Sequence, residues 1–247
     1  MWGCMDNLVL ELLEKEKPVV IGHRGAAGLA VENTIVAIRK ALELGVKIVE
    51  VDVRLTSDRK IVVFHDEDLK RLAGVDKKIR DLTLRDLKEV RINNEGIPTL
   101  DEVLAEVSGK AGVLIEIKEE GWEDLVVSSI KQNKAVEWSA VISFHEGAIQ
   151  KVKLLYSRIP TGLIYAIPPG KVIDAKRLMA SMVLPNYRIL TNKHLEFAHK
   201  QGLKVVTWTV NEPSKALELA LAGVDGITTD YPNLILEAIS EARKKQS

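Results

Sequence analysis

The sequence predicts an α/β fold, a (β/α)8 or TIM barrel, from its length, its alternating pattern and the number of its strands. The chain has 247 residues, close to the roughly 250 typical of this architecture. Short apolar runs rich in Val and Ile alternate with stretches of 3.6-residue periodicity, the rhythm of βα units rather than of sandwiches or helical bundles. Eight strands follow: Pro18–His23, Lys47–Arg54, Gly112–Lys118, Ala140–Phe144, Pro160–Tyr165, Met182–Asn186, Lys204–Thr209 and Asp225–Thr229. Helices are expected after them, among them Thr34–Leu44, Trp122–Lys131, Asn192–Gln201, Pro213–Leu221 and Leu234–Lys244.

One apolar run breaks the rhythm. Lys60–Asp66 follows the second strand after only four residues, Thr56 to Arg59, whereas a parallel neighbour needs a crossover of about a dozen residues or more. The run therefore reads as an antiparallel hairpin arm. If the chain returns through Phe64, it sets His65 beside Asp52. The longer connection from Glu67 carries turn signals at Ala73-Gly74 and Asn93-Asn94-Glu95-Gly96. It predicts a small insertion over the barrel mouth, about residues 67–99, and then the second barrel helix at about Leu100–Val107. A lid and a merely structural excursion explain the insertion equally well.

Hydrophobic residues make up 46% and charged residues 28%, enough apolar surface for one proper core, and no linker-like or low-complexity stretch divides the chain. A single domain is expected. With 35 basic and 35 acidic residues the net charge is zero. That balance lacks the electrostatic footprint of a nucleic-acid or anionic-membrane binder, so an anionic ligand must be held by local charge. Homo-oligomerisation stays open.

Cys4 is the one cysteine, which excludes an intrachain disulfide and favours a reducing compartment; the expected location is cytoplasmic. Stable membrane insertion is not expected, because no apolar run reaches the ~18 residues a spanning helix needs. Asp6, Glu11, Glu14 and Glu16 occupy the stretch where a signal peptide would be apolar. Met1-Trp2-Gly3-Cys4 is faintly like a lipidation site but has no apolar segment before it, so no lipid is expected.

Side chains alternate along a strand. In the second strand Val49, Val51 and Val53 therefore share one face, and Glu50, Asp52 and Arg54 the other. In the third, Val113, Ile115 and Ile117 oppose Leu114, Glu116 and Lys118. The apolar faces must pack on the helices, so both strands aim carboxylates into the barrel. Two carboxylates at i and i+2 repel by on the order of 3 kcal/mol at an effective dielectric of 20, before any desolvation. Something positive must offset this. Salt bridges to Arg24, Arg54 and Lys118 would be the bland solution. Recurrence on two strands, at the end where barrel enzymes keep their active sites, favours a metal. Three hard oxygen ligands without a nearby cysteine or His-x-His spacing suit one divalent cation, Mg2+ or Ca2+, better than Zn2+.

The first strand ends Ile21-Gly22-His23-Arg24-Gly25, which puts a histidine and an arginine at the same rim. In Glu32-Asn33-Thr34, either Asn33 or Thr34 suits the N-cap of the following helix. Trp208 is expected at the rim and His145 near the mouth, while His194 and His199 read as surface residues of a helix. Thr228-Thr229-Asp230 lacks a glycine-rich phosphate turn.

Together, Gly22-His23-Arg24-Gly25, Glu32-Asn33-Thr34, Glu50-Val51-Asp52, Phe64-His65-Asp66, Glu116-Ile117-Lys118, Trp208-Thr209-Val210-Asn211, Asp225-Gly226-Ile227 and Thr229-Asp230-Tyr231-Pro232 resemble glycerophosphodiester phosphodiesterases. The resemblance runs over nearly the whole chain, with Val31 departing from the proline usual before Glu-Asn-Thr. It implies hydrolysis of a small glycerophosphodiester to glycerol 3-phosphate and an alcohol. By the same resemblance His23 and His65 are acid and base, Glu50, Asp52 and Glu116 bind the divalent ion, and Arg24 and Lys118 hold phosphate. Trp208 is a candidate ligand contact. The rivals are a lysophospholipase D-like activity on acylated substrates, enolase-type chemistry with Lys118 as base, and a silent phosphate-binding barrel. The second lacks room for its capping domain, and the third would be expected to have lost one of these groups.

Overall fold

The computed structural model describes residues 7–244. Cys4, on which the compartment and lipidation expectations rest, lies outside them. The chain enters through helix α1 (Leu8–Lys15), strand β1 (Val19–Gly22), helix α2 (Ile35–Glu43) and strand β2 (Ile48–Leu55). Strand β3 (Ile61–Val63) then turns back antiparallel on β2, Val53 facing Val63 and Leu55 facing Ile61. This is the expected hairpin. After it come the short helices α3 (Lys70–Ala73) and α4 (Leu84–Lys88) and the two-residue arms β4 (Arg91–Ile92) and β5 (Glu95–Gly96). Barrel alternation resumes at α5 (Leu100–Val107), β6 (Gly112–Ile117), α6 (Glu123–Gln132), β7 (Ser139–Ser143) and α7 (Glu146–Leu155). It continues through β8 (Thr161–Tyr165), α8 (Val172–Arg177), β9 (Met182–Pro185), α9 (Asn192–Lys200), β10 (Lys204–Thr207), α10 (Pro213–Ala222), β11 (Gly226–Thr229) and α11 (Pro232–Lys244).

Eight strands, β1, β2 and β6 to β11, pair in parallel with their neighbours, and β11 pairs with β1 to close the ring. The fold is a TIM barrel. Helix entries follow local chemistry: the Thr99 hydroxyl accepts from the amide of Glu102, whose carboxylate accepts from Thr99 in return, and Thr83 and Asp86 repeat this capping box on α4. Thr34, not Asn33, caps α2.

The period-two pattern sorts the core. Val49, Val51 and Val53 of β2 and Val113, Ile115 and Ile117 of β6 face outward, packed with Ile38, Ala41, Val103 and Leu104 of the surrounding helices. Ile48 and Leu114 face inward, in a layer with Ile21, Ile142, Met182 and Val206. Helix α1, which the sequence reading did not foresee, adds the fully buried Val9 and Leu13 to that layer. It lies across the N-terminal end of the barrel. A Cβ on Gly112, at the start of β6, would come within 2.8 Å of Val9, and one on Gly226, at the start of β11, within 3.0 Å of Leu13. Asn7 caps α1, and its side-chain amide donates to the carbonyls of Val136 and Ser139 at 2.9 Å each.

The segment after β3 carries its own small core, in which Leu69, Ile79, Leu87, Ile92 and Ile97 pack with Val62 and Phe64 of the hairpin. Strands β1, β6 and β10 end at Gly22, Ile117 and Thr207, earlier than expected. His23 and Lys118 therefore stand in the rim loops just beyond the ladder, while Trp208 keeps one last parallel bridge to Asn186. Among the described residues no helix is long and apolar enough to cross a membrane.

Candidate active site

Above the apolar layer, the inward positions of β2 and β6 carry Glu50, Asp52 and Glu116, paired in register as Asp52 beside Glu116. All three are buried, and one carboxylate oxygen from each lies within 4.8 Å of the others. Glu50 Oε1 and Asp52 Oδ1 are buried without a hydrogen-bond partner. Burial, then the charges of Asp52 and Glu116, pushes the Glu50 carboxyl well above the ordinary carboxylate range, against the pull of Arg24. Burial and Asp52 push Glu116 up to about 7. Burial opposes ionisation of Asp52 too, but Lys118 and Arg24 outweigh it and hold that carboxyl at about 2. Three buried acidic groups short of positive charge, with one oxygen from each within 4.8 Å of the others, fit a divalent cation.

The expected salt bridges form only in part. Arg24 Nε stands 3.2 Å from Asp52 Oδ2, and Lys118 Nζ lies 2.6 Å from Glu116 Oε1 and 3.3 Å from Asp52 Oδ1. Arg54 takes no part. Pairing of β2 with β3 turns its side chain to the carbonyl of His65, 2.8 Å away, and to the carboxylate of Glu119.

His23 and His65 flank the carboxylates. The loop that carries His23 turns tightly: Arg24 adopts φ 49° and Gly25 φ 84°, and a Cβ on Gly25 would sit 2.6 Å from the backbone of Ala37. His23 Nδ1 meets Asp230 Oδ1 at 2.6 Å, while its Nε2 points toward Glu50, 3.9 Å away. Asp230 is steadied by Asn211, whose amide donates at 2.7 Å. His65 arrives as the hairpin register requires, with the Phe64 amide donating to the Asp52 carbonyl at 2.9 Å. Its Nδ1 meets Asp66 Oδ1 at 2.7 Å. Burial lowers the His65 imidazole below its ordinary value, with Lys118 and Arg24 reinforcing this against Asp52. Each ring thus has an aspartate on Nδ1, the arrangement that leaves Nε2 to exchange protons.

A cavity of about 290 Å³ opens between the histidines. Arg24, Lys118, Glu50 and Glu116 line one side, and Ile142, Phe144, Ile164, Leu184 and Trp208 the other. The Trp208 indole donates to the Leu184 carbonyl at 2.7 Å and meets the Phe144 ring edge-on, with centroids 5.6 Å apart. All eight site residues expected from the sequence therefore gather at one end of the barrel. His145 bonds the Lys118 carbonyl at 3.2 Å. His194, half-buried, is less of a surface residue than its helix suggests, with Nε2 3.0 Å from the Tyr165 hydroxyl. Exposed His199 pairs with buried Asp225 at 2.8 Å.

Several supporting residues carry no site role in the sequence reading, where Asn33 is only a candidate helix N-cap. Asn33, with φ 58°, donates to Asp52 Oδ2 at 2.8 Å and accepts from the Asp52 amide. Glu32 holds Arg24 Nη1 at 2.7 Å. Glu32, Asn33, Asp66, Asn211 and Asp230 all sit inside the quoted motifs, which was the one signal available; Arg71 offered none.

The model of the glycerophosphoryl diester phosphodiesterase family matches residues 23–234. The glycerophosphodiester phosphodiesterase of Caldanaerobacter subterraneus subsp. tengcongensis is 32% identical over 240 residues, covering 90% of this chain and 98% of that one. Among solved structures, an Oleispira antarctica phosphodiesterase in complex with the product sn-glycerol-3-phosphate is 30% identical with a TM-score of 0.84, covering 92% of this chain and 99% of that one. A glycerophosphodiester phosphodiesterase from Thermotoga maritima is 33% identical with a TM-score of 0.77, covering 89% and 97%. The chain belongs to the glycerophosphoryl diester phosphodiesterase family of enzymes.

Proposed function

We propose that this chain hydrolyses a glycerophosphodiester to glycerol 3-phosphate and the free alcohol, with a divalent cation and a pair of histidines. The observation that carries the reading is one cavity in which three buried carboxylates, two cationic side chains and two aspartate-backed imidazoles converge. Glu50, Asp52 and Glu116 would hold Mg2+ or Ca2+, which supplies Lewis-acid screening of the phosphoryl oxygens.

Arg24 and Lys118 hold the phosphodiester by charge and hydrogen bonding, a role that local cations must fill in a chain of zero net charge. One imidazole takes the proton of the substrate's glycerol 2-hydroxyl as its oxygen bonds to phosphorus. The other gives a proton to the departing alkoxide as its bond to phosphorus breaks. Water then opens the cyclic phosphate with the proton roles reversed. Asp230 and Asp66 fix the tautomers so that both Nε2 atoms face the reaction. Trp208 and its apolar neighbours shape the wall opposite the charges and keep bulk water off it.

Detection of glycerol 3-phosphate from the deacylated diesters, and of the freed alcohol from the lysophospholipid, tests this directly. A panel of glycerophosphocholine, glycerophosphoethanolamine, glycerophosphoglycerol and a lysophospholipid is incubated with Mg2+ or Ca2+, with and without chelator. Release from a deacylated diester that chelator abolishes is the expected result. No release from any diester at saturating ion would overturn the proposal, and turnover of the lysophospholipid alone would move it to acylated substrates.

A further inference from the structure

Helix α3 belongs to the inserted segment, and Arg71 projects from it toward the rim. Its guanidinium spends three donors on two carboxylates. Nη1 and Nη2 grip Glu32 at 2.9 and 2.6 Å, and Nε reaches Asp66 Oδ2 at 2.5 Å. Each carboxylate also engages a site residue: Glu32 Oε1, shared with Arg71 Nη2, accepts from Arg24 Nη1 at 2.7 Å, and Asp66 Oδ1 meets His65 Nδ1 at 2.7 Å. Glu32 and Asp66 lie on opposite sides of the β2–β3 hairpin in the sequence, and Arg71 itself does not line the cavity.

We propose that Arg71 is a positioning residue that sets Arg24 and His65 together, by clamping the carboxylate partner of each from the inserted segment. The proposal rests on the function given above, in which Arg24 holds phosphate and His65 moves a proton. A planar fork can satisfy both carboxylates in one plane, which a lysine ammonium cannot. Removing the clamp frees Glu32 to swing from Arg24 and Asp66 to swing from His65, so binding and chemistry suffer together.

The test is a set of variants assayed for kcat and KM. Arg71→Ala is expected to raise KM, lower kcat and cost about 30-fold in kcat/KM, the range for partners one step removed from a site. Glu32→Gln should act mainly on KM and Asp66→Asn mainly on kcat. Each should combine with Arg71→Ala to lose less than the product of the single losses. Arg71→Lys should unfold at the wild-type temperature yet remain as impaired as the alanine variant. Thr83→Ala loosens the same segment through the α4 cap, and should keep kcat/KM within about threefold. Multiplying losses, an Arg71→Lys variant of normal activity, or a Thr83→Ala variant as impaired as Arg71→Ala would overturn the proposal.

The His65 ring-nitrogen NMR signals read the clamp without turnover. Arg71→Ala must shift them and Thr83→Ala must not; an unchanged spectrum overturns the proposal even where activity falls. A wild-type chain that turns over no diester would count against the function alone and leave the clamp to those signals.

Discussion

The lower and upper halves of the barrel interior are built on the same strands with opposite chemistry. Along β2 the inward positions run Ile48, Glu50, Asp52, and along β6 they run Leu114 and Glu116. Below, apolar side chains meet α1 and gain from burial. Above, carboxyl groups are buried at a cost that their own protein neighbours only partly offset, Glu50 and Glu116 being pushed toward the protonated form. Two residues of chain separate a layer that favours folding from one that opposes it, and the second is where the substrate cavity lies.

If this division holds, the two layers must respond differently to substitution. The largest effect belongs to His23→Ala and His65→Ala. Each should lower turnover by about 10³-fold while the melting temperature and calorimetric affinity for the divalent ion stay near wild type. Near-normal kcat in both would remove the histidines from the chemistry. Glu50→Gln is expected to lose ion binding and most turnover, yet the chelated variant should melt above the chelated wild type, because folding no longer has to bury the Glu50 carboxylate or protonate it. A lower melting temperature would break the comparison at its centre.

Leu114→Ala probes the lower layer. It should cost about 2–5 kcal/mol in denaturant unfolding and leave kcat and KM within about threefold. The pH dependence of the ion-free protein gives the smallest signal. Folded Glu116 holds its proton up to about 7, the unfolded residue only to its ordinary 4.5. Its contribution is thus fully present below 4.5 and lost as pH rises through about 7. Chelated wild type should lose stability over that window, and Glu116→Gln should flatten the slope; an equal slope in both would assign it elsewhere.

The outward apolar faces of β2 and β6 and the inward carboxylates were legible in the sequence because both follow from alternation within one strand. The hairpin was legible because four residues cannot span a parallel crossover, and that alone carried His65 to Asp52. Helix α5 appeared at its expected bounds, Leu100–Val107. What stayed hidden depends on distant placement. Helix α1 is eight residues long, and nothing in its composition distinguishes a barrel floor from a surface turn. Asp230 reaches His23 across 207 residues and Arg71 reaches Glu32 across 39, so neither partner can be read from local spacing. Arg54 shares the inward parity of Glu50 and Asp52 but is diverted by β3, an effect that arises only once the two strands pair.

With the inward apolar layer filling its lower half and Val9 and Leu13 seated beneath, the barrel holds its cavity as a cup holds its contents. Everything that enters must leave by the same rim. The freed alcohol therefore stands in the path of the water that completes the proposed reaction, and its departure has to come first.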